Sequence, residues 1–407
     1  MKDEPSDNFD ICVIGGAGHV GAPLSIVLAS KGFRTLIYDL NEAALKTIAE
    51  GRLPFIEEGG DEMLQEVLPT GRLAFTSDPS RLRNVPNLIL TIGTPIDEFH
   101  NPVRTVVTDC VRALLPYMEA ARLIILRSTV SPGTTEELAE FLQRQGKEIA
   151  VAFCPERVVQ GKAIKEIQTM AQIVSGTTPE AEEMAVDVFG KIAVDVVRMK
   201  PTEAEFAKLI CNTYRYIQFA ATNQFHMMVE SAGCDYSRVV QGIKQEYPRM
   251  RDFPGAGFAA GPCLHKDTLQ LAAFAESQFE LGHAAIHVNE GLPAFMVSRL
   301  KQKYPLAEMT VGLLGMAFKA GSDDTRSSLS YKLKKLLQHA AREVLCTDPY
   351  VKTDFTLRPL EEVVEKSDLL ILSAPHPEYA TLTTDKPIID IWNIRNGRVQ
   401  YASRALG

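Results

Sequence analysis

A glycine-rich turn near the N-terminus constrains the fold of this chain more than any other feature of the sequence. The segment ICVIGGAGHVGAPLSIVLASKGFRTLIYDLN contains Gly16, Gly18 and Gly21 in a G-x-G-x-x-G pattern between a β-rich run and a helical run, and Asp39 ends the next β-rich run. These glycines allow a tight turn, the approach of a pyrophosphate and close helix packing, and the helix N-terminus offers N–H groups to the phosphates. Asp39 suits the ribose hydroxyls and favours NAD over NADP, because its carboxylate would repel a 2′-phosphate. The pattern predicts a Rossmann-type dinucleotide site; a turn that serves packing alone is the alternative.

Two groups of β-rich runs flank a long helical stretch. The first group is ICVIGG, TLIYD, LAFTS, NLILTIG, LIILRST and IAVAFCPE, and helical segments such as 22–31 and 41–50 alternate with these runs. The second group, TVGLLGMAF, EVLCTDP, DLLILSAP and PIIDIWN, begins near Met309. Alternation of this kind predicts parallel sheets with helices on both faces.

The stretch between the two groups predicts one long helix. Residues 203–231 contain neither proline nor glycine, and their apolar residues recur at helical spacing. The predicted fold is therefore α/β, with two Rossmann-like, doubly wound parallel-sheet domains joined by a long central helix. The pattern divides the chain into three regions, 1–199, 200–305 and 306–407, the first of which contains the predicted dinucleotide site.

Composition excludes several classes of protein. A chain of 407 residues is too long for one ordinary core, and no apolar run approaches the roughly 18 residues of a membrane span. The net charge of −8 argues against a nucleic-acid partner, and the polar, acidic start argues against a targeting peptide. The seven cysteines include no C-x-x-C pair and the eight histidines have no metal-ligand spacing. We expect a cytoplasmic protein without structural metal or membrane contact.

Cys263 is the first candidate for chemistry. It follows a loop of small residues in FPGAGFAAGPCLHKDTLQL, and Lys266 and Asp267 follow it by three and four residues. A neighbouring cation lowers the pKa of a thiol, and the thiolate is the nucleophile. A loop that merely enters a helix, with Asp267 in its first turn, explains the same residues equally well.

Further polar residues follow predicted strands or share a helix face. Three groups lie where an open α/β sheet exposes the carboxyl ends of its strands: Thr94 with Pro95, Ser128 with Thr129, and Glu156. On the long helix, Lys208 and Asn212 are four residues apart and share a face. Turn formers at the strand ends and a solvated helix face are the alternative interpretations.

Five segments together resemble the UDP-glucose/GDP-mannose dehydrogenase family: CLHKD, FAKLICNTYRYI, RSTVSPGT, FCPER and FKAGSDDTRSS. The resemblance covers nearly the whole chain. It implies an NAD-binding Rossmann domain over 1–199, a central helical dimerisation and catalytic-loop region over 200–305, and a nucleotide-sugar-binding Rossmann-like domain over 306–407. It further implies that the long helix forms the core of a homodimer. It also implies oxidation of the primary alcohol of a nucleotide-linked hexose to the carboxylate, with two NAD.

The resemblance also implies a role for each catalytic candidate. Cys263 would attack the aldehyde formed by the first oxidation, giving a thiohemiacetal, and the second oxidation would give a thioester for hydrolysis. Lys208 would stabilise the oxyanions, and Asn212 would help to hold the same oxygen. Asp267 would orient a water or transfer a proton, and Glu156 would assist hydrolysis of the thioester.

The remaining assignments rest on the same resemblance. Thr129 would hold a water or a sugar hydroxyl, and Arg249 would reach the substrate of the partner chain. The residues expected at the cofactor are Gly16, Gly18, His19, Val20, Gly21, Asp39, Thr94, Pro95, Thr129, Lys266 and Arg326. The residues expected at the substrate are Glu156, Arg157, Lys208, Asn212, Arg249, Phe258, Gly261 and Lys319.

The chain departs from the family pattern near Cys263, so the substrate is less determined than the reaction. FAAGPC replaces the two glycines and a serine or histidine that are common there, and His265 replaces a proline or glutamine. HKDT resembles UDP-glucose enzymes, whereas Arg249, 14 residues before Cys263, resembles N-acetylhexosamine enzymes. UDP-glucose is the expected substrate, with a UDP-N-acetylhexosamine or dTDP-glucose as alternatives. A dehydrogenase of the 3-hydroxyacid type with one hydride transfer, and a non-catalytic nucleotide-binding protein, are the remaining hypotheses.

Overall fold

The computed structural model of the chain describes residues 8–99, 101–276 and 278–395, which form two compact units. The first unit runs up to Cys211 and includes Leu269–Phe274. The second unit comprises Asn212–Thr268 and the described residues from Ala275 onward. The three-region division expected from the sequence stays a prediction.

An eight-stranded sheet forms the centre of the first unit, in the order β3-β2-β1-β4-β5-β6-β7-β8. Its strands are β1 Ile11–Ile14, β2 Thr35–Tyr38, β3 Leu73–Thr76, β4 Asn87–Leu90, β5 Leu123–Leu126, β6 Ala150–Phe153, β7 Gln172–Gly176 and β8 Val196–Arg198. The first six strands are those predicted, and they pair in parallel. The sequence analysis missed β7 and β8; β7 runs antiparallel to β6, so the sheet is mostly rather than wholly parallel.

Helices of the first unit cover the sheet through their apolar sides. They are α1 Gly21–Ser30, α2 Glu42–Ala49, α3 Gly60–Val67, α4 Val106–Leu114, α5 Thr134–Arg144, α6 Ala163–Thr169 and α7 Pro179–Phe189. Asn41 caps α2 by accepting the N–H of Ala44, so α2 begins where the sequence predicted it. In α1, nine of its ten residues are buried, because the helix packs closely behind the glycine turn.

The long central helix is confirmed as α8 Pro201–Ser231, with 31 residues. This helix begins in the first unit and ends in the second, whereas α10 Leu264–Phe274 begins in the second unit and ends in the first. None of the described helices is long and apolar enough to span a membrane.

A four-stranded parallel sheet forms the centre of the second unit, in the order β10-β9-β11-β12. Its strands are β9 Thr310–Leu314, β10 Glu343–Thr347, β11 Leu369–Leu372 and β12 Ile388–Asp390, all of which the sequence predicted. The other helices of this unit are α9 Tyr236–Lys244, α11 Glu280–Lys303, α12 Leu329–Gln338 and α13 Leu360–Lys366. The α/β class with two Rossmann-like sheets is therefore confirmed.

A buried histidine lies in the core of the second unit. The ring of His226 packs edge-on against Tyr236 at 5.2 Å and Phe295 at 6.4 Å between ring centres. Neither ring nitrogen of His226 has a hydrogen-bond partner among the described residues. Burial lowers the pKa of His226 to about 4, because the imidazolium would lose its hydration without gaining a partner.

His226 should make the protein less stable in acid. The unfolded chain binds this proton near pH 6.5 and the folded chain near pH 4, so stability falls as the pH drops through that interval, by about 3 kcal/mol. His226→Phe keeps the ring and removes the titration. Urea unfolding at pH steps from 7.5 to 4.5 should show a smaller loss of unfolding free energy in this variant than in the wild type. His283→Phe, at an exposed position of α11, should keep the wild-type slope; equal slopes in all three proteins would contradict the prediction.

Candidate active site

The glycine turn between β1 and α1 has the shape that a dinucleotide needs. A Cβ atom at Gly16 would lie 2.7 Å from the carbonyl oxygen of Val13, and one at Gly21 would lie 2.6 Å from that of Gly15. At Gly18 a Cβ would meet nothing closer than 3.6 Å, so this residue leaves its outer side open. Val20, at the start of α1, provides no side-chain cap. The N–H of Ala22 donates to the carbonyl of Gly18 at 2.9 Å and Pro23 has no N–H, so among the described residues the N–H of Gly21 is the first helical group available to a phosphate.

Asp39 is fixed directly after β2, beside this turn. Its Oδ2 accepts the N–H of Ala17 at 3.0 Å, and its Oδ1 accepts the N–H of Asn41 at 2.9 Å. The carboxylate is therefore held against the glycine turn, where a ribose of NAD would lie. The residues present fit the cofactor that the sequence predicted.

Strand ends next to the turn supply further predicted residues. The hydroxyl of Thr94 donates to the carbonyl of Thr129 at 2.6 Å, which joins the loops after β4 and β5. Pro95 accepts from the N–H of Val103 at 3.1 Å. The ring of His19 lies 4.0 Å from that of Phe55. These four predicted residues share one unit with the glycine turn.

Glu156 is buried and held by a partner that the sequence analysis missed. Its Oε2 pairs with the guanidinium of Arg127, which is fully buried. Its Oε1 accepts the N–H groups of Arg157 at 2.6 Å and Val158 at 2.8 Å. Arg127 also donates to Gln172 at 2.9 Å. This network fixes the loop after β6 and leaves the carboxylate of Glu156 fully engaged.

Lys208 is buried on α8, with 8% of its surface exposed. In the described part of the first unit, no acceptor lies within hydrogen-bonding distance of its ammonium. Three residues earlier, Glu205 accepts the N–H groups of Gly133 at 2.6 Å and Thr135 at 2.9 Å. Burial raises the pKa of Glu205 to about 7. Glu205 therefore ties the first turns of α8 to the N-terminus of α5 and fixes the position of Lys208.

Cys263 and Asp267 lie at the start of α10 in the second unit. Cys263 is exposed, directly before the helix. Asp267 is fully buried, and its Oδ2 accepts from the amide of Asn212 at 2.6 Å. Its Oδ1 lies 3.7 Å from the ammonium of Lys266 and accepts no hydrogen bond within the described residues. Asn212, Lys266 and Asp267 therefore meet, and the buried Oδ1 of Asp267 is left without a hydrogen-bond donor among the described residues.

The loop before Cys263 is shaped by aromatic rings of the same unit. Gly257 has φ +150°, and a Cβ there would lie 2.2 Å from the ring of Trp392. Gly261 has φ +101°, and a Cβ there would lie 2.6 Å from the ring of Phe318. The ring centre of Phe258 lies 6.2 Å from that of Trp392. The glycines let the backbone pass directly over these rings.

The same loop is held from α8 by Asn223, which the sequence analysis did not select. Asn223 is buried; its amide donates to the carbonyl of Gly257 at 2.9 Å, and its carbonyl accepts the N–H of Gly257 at 3.0 Å. Asn289 of α11 accepts a further hydrogen bond from Asn223 at 3.0 Å. A polar residue in a helical stretch gives no signal of such a distant partner.

Basic residues of the second unit complete the candidate set. Arg326 donates to Asp324 at 2.6 Å, and its pKa is raised mainly by this hydrogen bond, with a further contribution from the charge of Cys263. The ammonium of Lys319 lies 5.9 Å from the ring centre of Phe318. Arg249 is exposed and donates to the hydroxyl of Tyr247 at 3.3 Å. Lys266 and Arg326, expected at the cofactor, thus belong to the unit of Cys263.

Comparisons with known proteins agree with this arrangement. Three segments match the UDP-glucose/GDP-mannose dehydrogenase family: residues 9–193 its NAD binding domain, 202–291 its central domain and 312–397 its UDP binding domain.

Two relatives and one solved structure extend the match over the whole length. The UDP-N-acetyl-D-mannosamine dehydrogenase of Pyrococcus horikoshii is 31% identical over 96% of this chain and 98% of its own. The enzyme of the same name from Methanocaldococcus jannaschii is 29% identical over 95% and 92%. The structure of a UDP-glucose dehydrogenase from Pyrobaculum islandicum has a TM-score of 0.88 at 25% identity, covering 97% and 96%. The chain therefore belongs to the UDP-glucose/GDP-mannose dehydrogenase family and is an NAD-dependent nucleotide-sugar dehydrogenase.

Proposed function

We propose that this chain oxidises carbon 6 of UDP-N-acetyl-D-mannosamine, or of a close UDP-N-acetylhexosamine, to the carboxylate. The observation that carries the proposal is the group at the start of α10: an exposed Cys263 next to Asp267, which Asn212 holds. A cysteine is required when one site performs a four-electron oxidation, because a covalent adduct retains the aldehyde. A dehydrogenase with one hydride transfer would not need Cys263.

The preference for an N-acetylated sugar rests on the comparisons. The relatives at 31% and 29% identity are both UDP-N-acetyl-D-mannosamine dehydrogenases, whereas the UDP-glucose dehydrogenase structure is 25% identical. The spacing of Arg249 and Cys263 points to the same class. This alternative replaces UDP-glucose, the substrate expected from the sequence. UDP-glucose remains the second candidate, supported by the TM-score of 0.88.

The residues act on the substrate in a fixed order. Bound NAD supplies the acceptor for one hydride in each of the two oxidations. The thiolate of Cys263 adds to the aldehyde carbon, and the carbonyl oxygen becomes an oxyanion, which the ammonium of Lys208 stabilises. After the second oxidation the adduct is a thioester. Water then adds to its carbonyl, the C–S bond breaks, and the sugar acid leaves Cys263 as a thiolate.

Lys208 suits the oxyanion because its own unit provides no anion for it. A buried ammonium without an acceptor is costly unless a ligand supplies the counter-charge. Asn212 lies one helical turn further along α8, with its amide directed to Asp267. Oδ1 of Asp267 is buried and accepts no hydrogen bond among the described residues, so we assign it to accept one from the hydrolytic water. A proton from that water passes to Asp267 in the hydrolysis step.

Glu156 and Thr129 take supporting roles in this proposal. Because Arg127 and two backbone N–H groups already occupy the carboxylate of Glu156, we assign it to positioning the loop after β6. The carbonyl of Thr129 is bound to Thr94, and its hydroxyl serves a water or a sugar hydroxyl.

We also propose a homodimer formed through α8. One side of this helix carries large apolar residues that are exposed: Ile210 at 52%, Tyr214 at 60%, Phe225 at 48% and Met228 at 60%. These residues recur at helical spacing over about five turns at 3.6 residues per turn, so they form an apolar strip on one face of α8. An apolar strip of this length on a single helix is typical of a surface that a second copy covers.

The substrate proposal predicts both a preference and a stoichiometry. Among UDP-N-acetylmannosamine, UDP-N-acetylglucosamine, UDP-glucose, dTDP-glucose and GDP-mannose, the first should have the highest kcat/KM, about tenfold or more above UDP-glucose. Each sugar acid should appear with two NADH. NADH absorbance and mass spectrometry of the product measure both quantities. One NADH per product, with an aldehyde or ketone, would contradict the reaction, whereas a preference for UDP-glucose would contradict only the substrate.

Cys263→Ser should lower kcat by at least about 10³-fold, because a hydroxyl is far less acidic than a thiol. The serine can still form an ester, and its slow hydrolysis should leave a trapped acyl-enzyme at Ser in this variant. Intact-protein mass spectrometry after acid quenching detects the adduct. Cys234→Ser, at another exposed cysteine, is the matched control and should keep wild-type kcat. Wild-type turnover by Cys263→Ala would refute the covalent mechanism.

The dimer proposal separates two classes of variant on the same helix. Tyr214→Asp should produce monomers, because a charge in the apolar strip would be desolvated in the interface. Lys208→Ala should keep the dimer and lose most activity. Phe355→Asp introduces the same charge at a residue that is 95% exposed in the second unit, and should remain dimeric. Sedimentation equilibrium at micromolar concentration measures each state; a fully active wild-type monomer would contradict the proposal.

A further inference from the structure

A buried aspartate–histidine pair lies at the carboxyl ends of β10 and β11. Asp348 directly follows β10, and His376 lies four residues after β11. The side chains of both are fully buried, and His376 Nε2 lies 3.0 Å from Asp348 Oδ2. Neither residue has a part in the mechanism above.

The contacts of His376 determine where its proton lies. The backbone N–H of Gly321 lies 3.1 Å from Nδ1, and a backbone N–H can only donate. Nδ1 therefore carries no proton, and Nε2 donates its proton to Asp348. Burial disfavours the carboxylate of Asp348, but hydrogen bonds from His376 and from the N–H groups of Ala317 and Met316 hold its pKa at about 2.

This pair holds one loop at several backbone positions. Residues 316–328, here called the 316–328 loop, connect β9 to α12. Asp348 Oδ2 accepts the N–H of Met316 at 2.6 Å and of Ala317 at 2.9 Å, and His376 accepts that of Gly321. Asp348 Oδ1 accepts the N–H of Tyr350 at 2.8 Å, which anchors the pair to the chain after β10.

The 316–328 loop in turn contacts the segment that ends in Cys263. The ring of Phe318 fills the space where a Cβ of Gly261 would lie. The carbonyl of Ser327 accepts the N–H of Gly261 at 3.2 Å. The charge of Cys263 also acts on Arg326 of this loop. A continuous set of contacts within the second unit thus joins His376 to the nucleophile.

We propose that His376 is a positioning residue, which fixes the 316–328 loop through Gly321 and thereby holds the backbone at Gly261, two residues before Cys263, against Phe318 and Ser327. The inference rests on the proposed role of Cys263 as nucleophile. It adds a requirement for the neutral tautomer of His376 with an unprotonated Nδ1, since only that form accepts from Gly321.

Two substitutions separate the two hydrogen bonds of His376. In His376→Asn, the amide oxygen takes the place of Nδ1 and accepts from Gly321, while the bond to Asp348 is lost. In His376→Gln, the amide nitrogen takes the place of Nε2 and donates to Asp348, while Gly321 loses its acceptor. His376→Gln should therefore impair the site and His376→Asn should largely preserve it. His339→Gln, at an exposed position in the same unit, is the matched control.

Alkylation of Cys263 by iodoacetamide in the full-length enzyme without substrate measures the effect directly. The thiolate displaces iodide, so the rate reports the thiolate fraction and the access of the reagent, both of which depend on how the segment from Gly261 to Cys263 is held. Peptide mass spectrometry should show about fivefold slower labelling of Cys263 in His376→Gln, and less than about twofold in His376→Asn. The exposed Cys234, which lies outside α8, serves as the internal standard and should be labelled at an unchanged rate.

Phe318→Leu provides an independent variant with the buried pair intact, and it should also slow labelling of Cys263. Equal labelling of Cys263 in the wild type and His376→Gln, or equal slowing in the Asn and Gln variants, would overturn the proposal. Should the His376 variants not fold, unchanged labelling in Phe318→Leu would overturn it. The labelling requires no sugar nucleotide, so its outcome is distinct from failure of the proposed substrate or reaction.

Discussion

Parallel pairing of strands is the constraint on which both units depend. Because every strand of a parallel pair ends at the same edge, residues far apart in sequence come together there without any direct signal between them. In the first unit this edge joins Asp39 to the glycine turn and Thr94 to Thr129. In the second unit it joins Asp348 and His376 to the 316–328 loop. The pairing of the strands thus determines which polar residues lie near one another at each sheet edge.

Two glycines let the sheet of the second unit determine the position of the loop before Cys263. Gly257 and Gly261 have backbone conformations that other residues rarely adopt, and each lies against an aromatic ring. Trp392 and Phe318 belong to loops at the ends of β12 and β9, so the sheet of the second unit shapes the loop before Cys263. Asn223 then fixes the same loop to α8 through both hydrogen bonds with Gly257. The loop of small residues is therefore specified by its neighbours on two sides.

The sequence predicted those parts whose signal is local. Buried parallel strands are continuous apolar runs, so the sequence predicted β1 to β6 and β9 to β12. The glycine pattern with Asp39 predicted the NAD-binding domain that the family match shows. Strand β8 has three residues and is partly exposed, so it left no apolar run. Arg127, Asn223 and His376 were missed because each is defined by partners 27 to 66 residues away in the chain. A single sequence has no signal for such pairs.

The buried polar groups show why these missed residues matter to function. Arg127 and Glu156 form an ion pair in the first unit that is almost inaccessible to solvent. Such a buried pair contributes little net stability, but removal of one partner strongly destabilises the protein because the other charge stays buried. The main effect of such a pair is to fix one conformation of a loop, and its contribution to the stability of the fold is small. Asp348 and His376 have the same character, with every polar atom of the pair directed to a backbone N–H or to the other member. Each pair holds a loop at a strand end, so the mechanism that we propose depends on groups to which we assign positioning rather than chemistry.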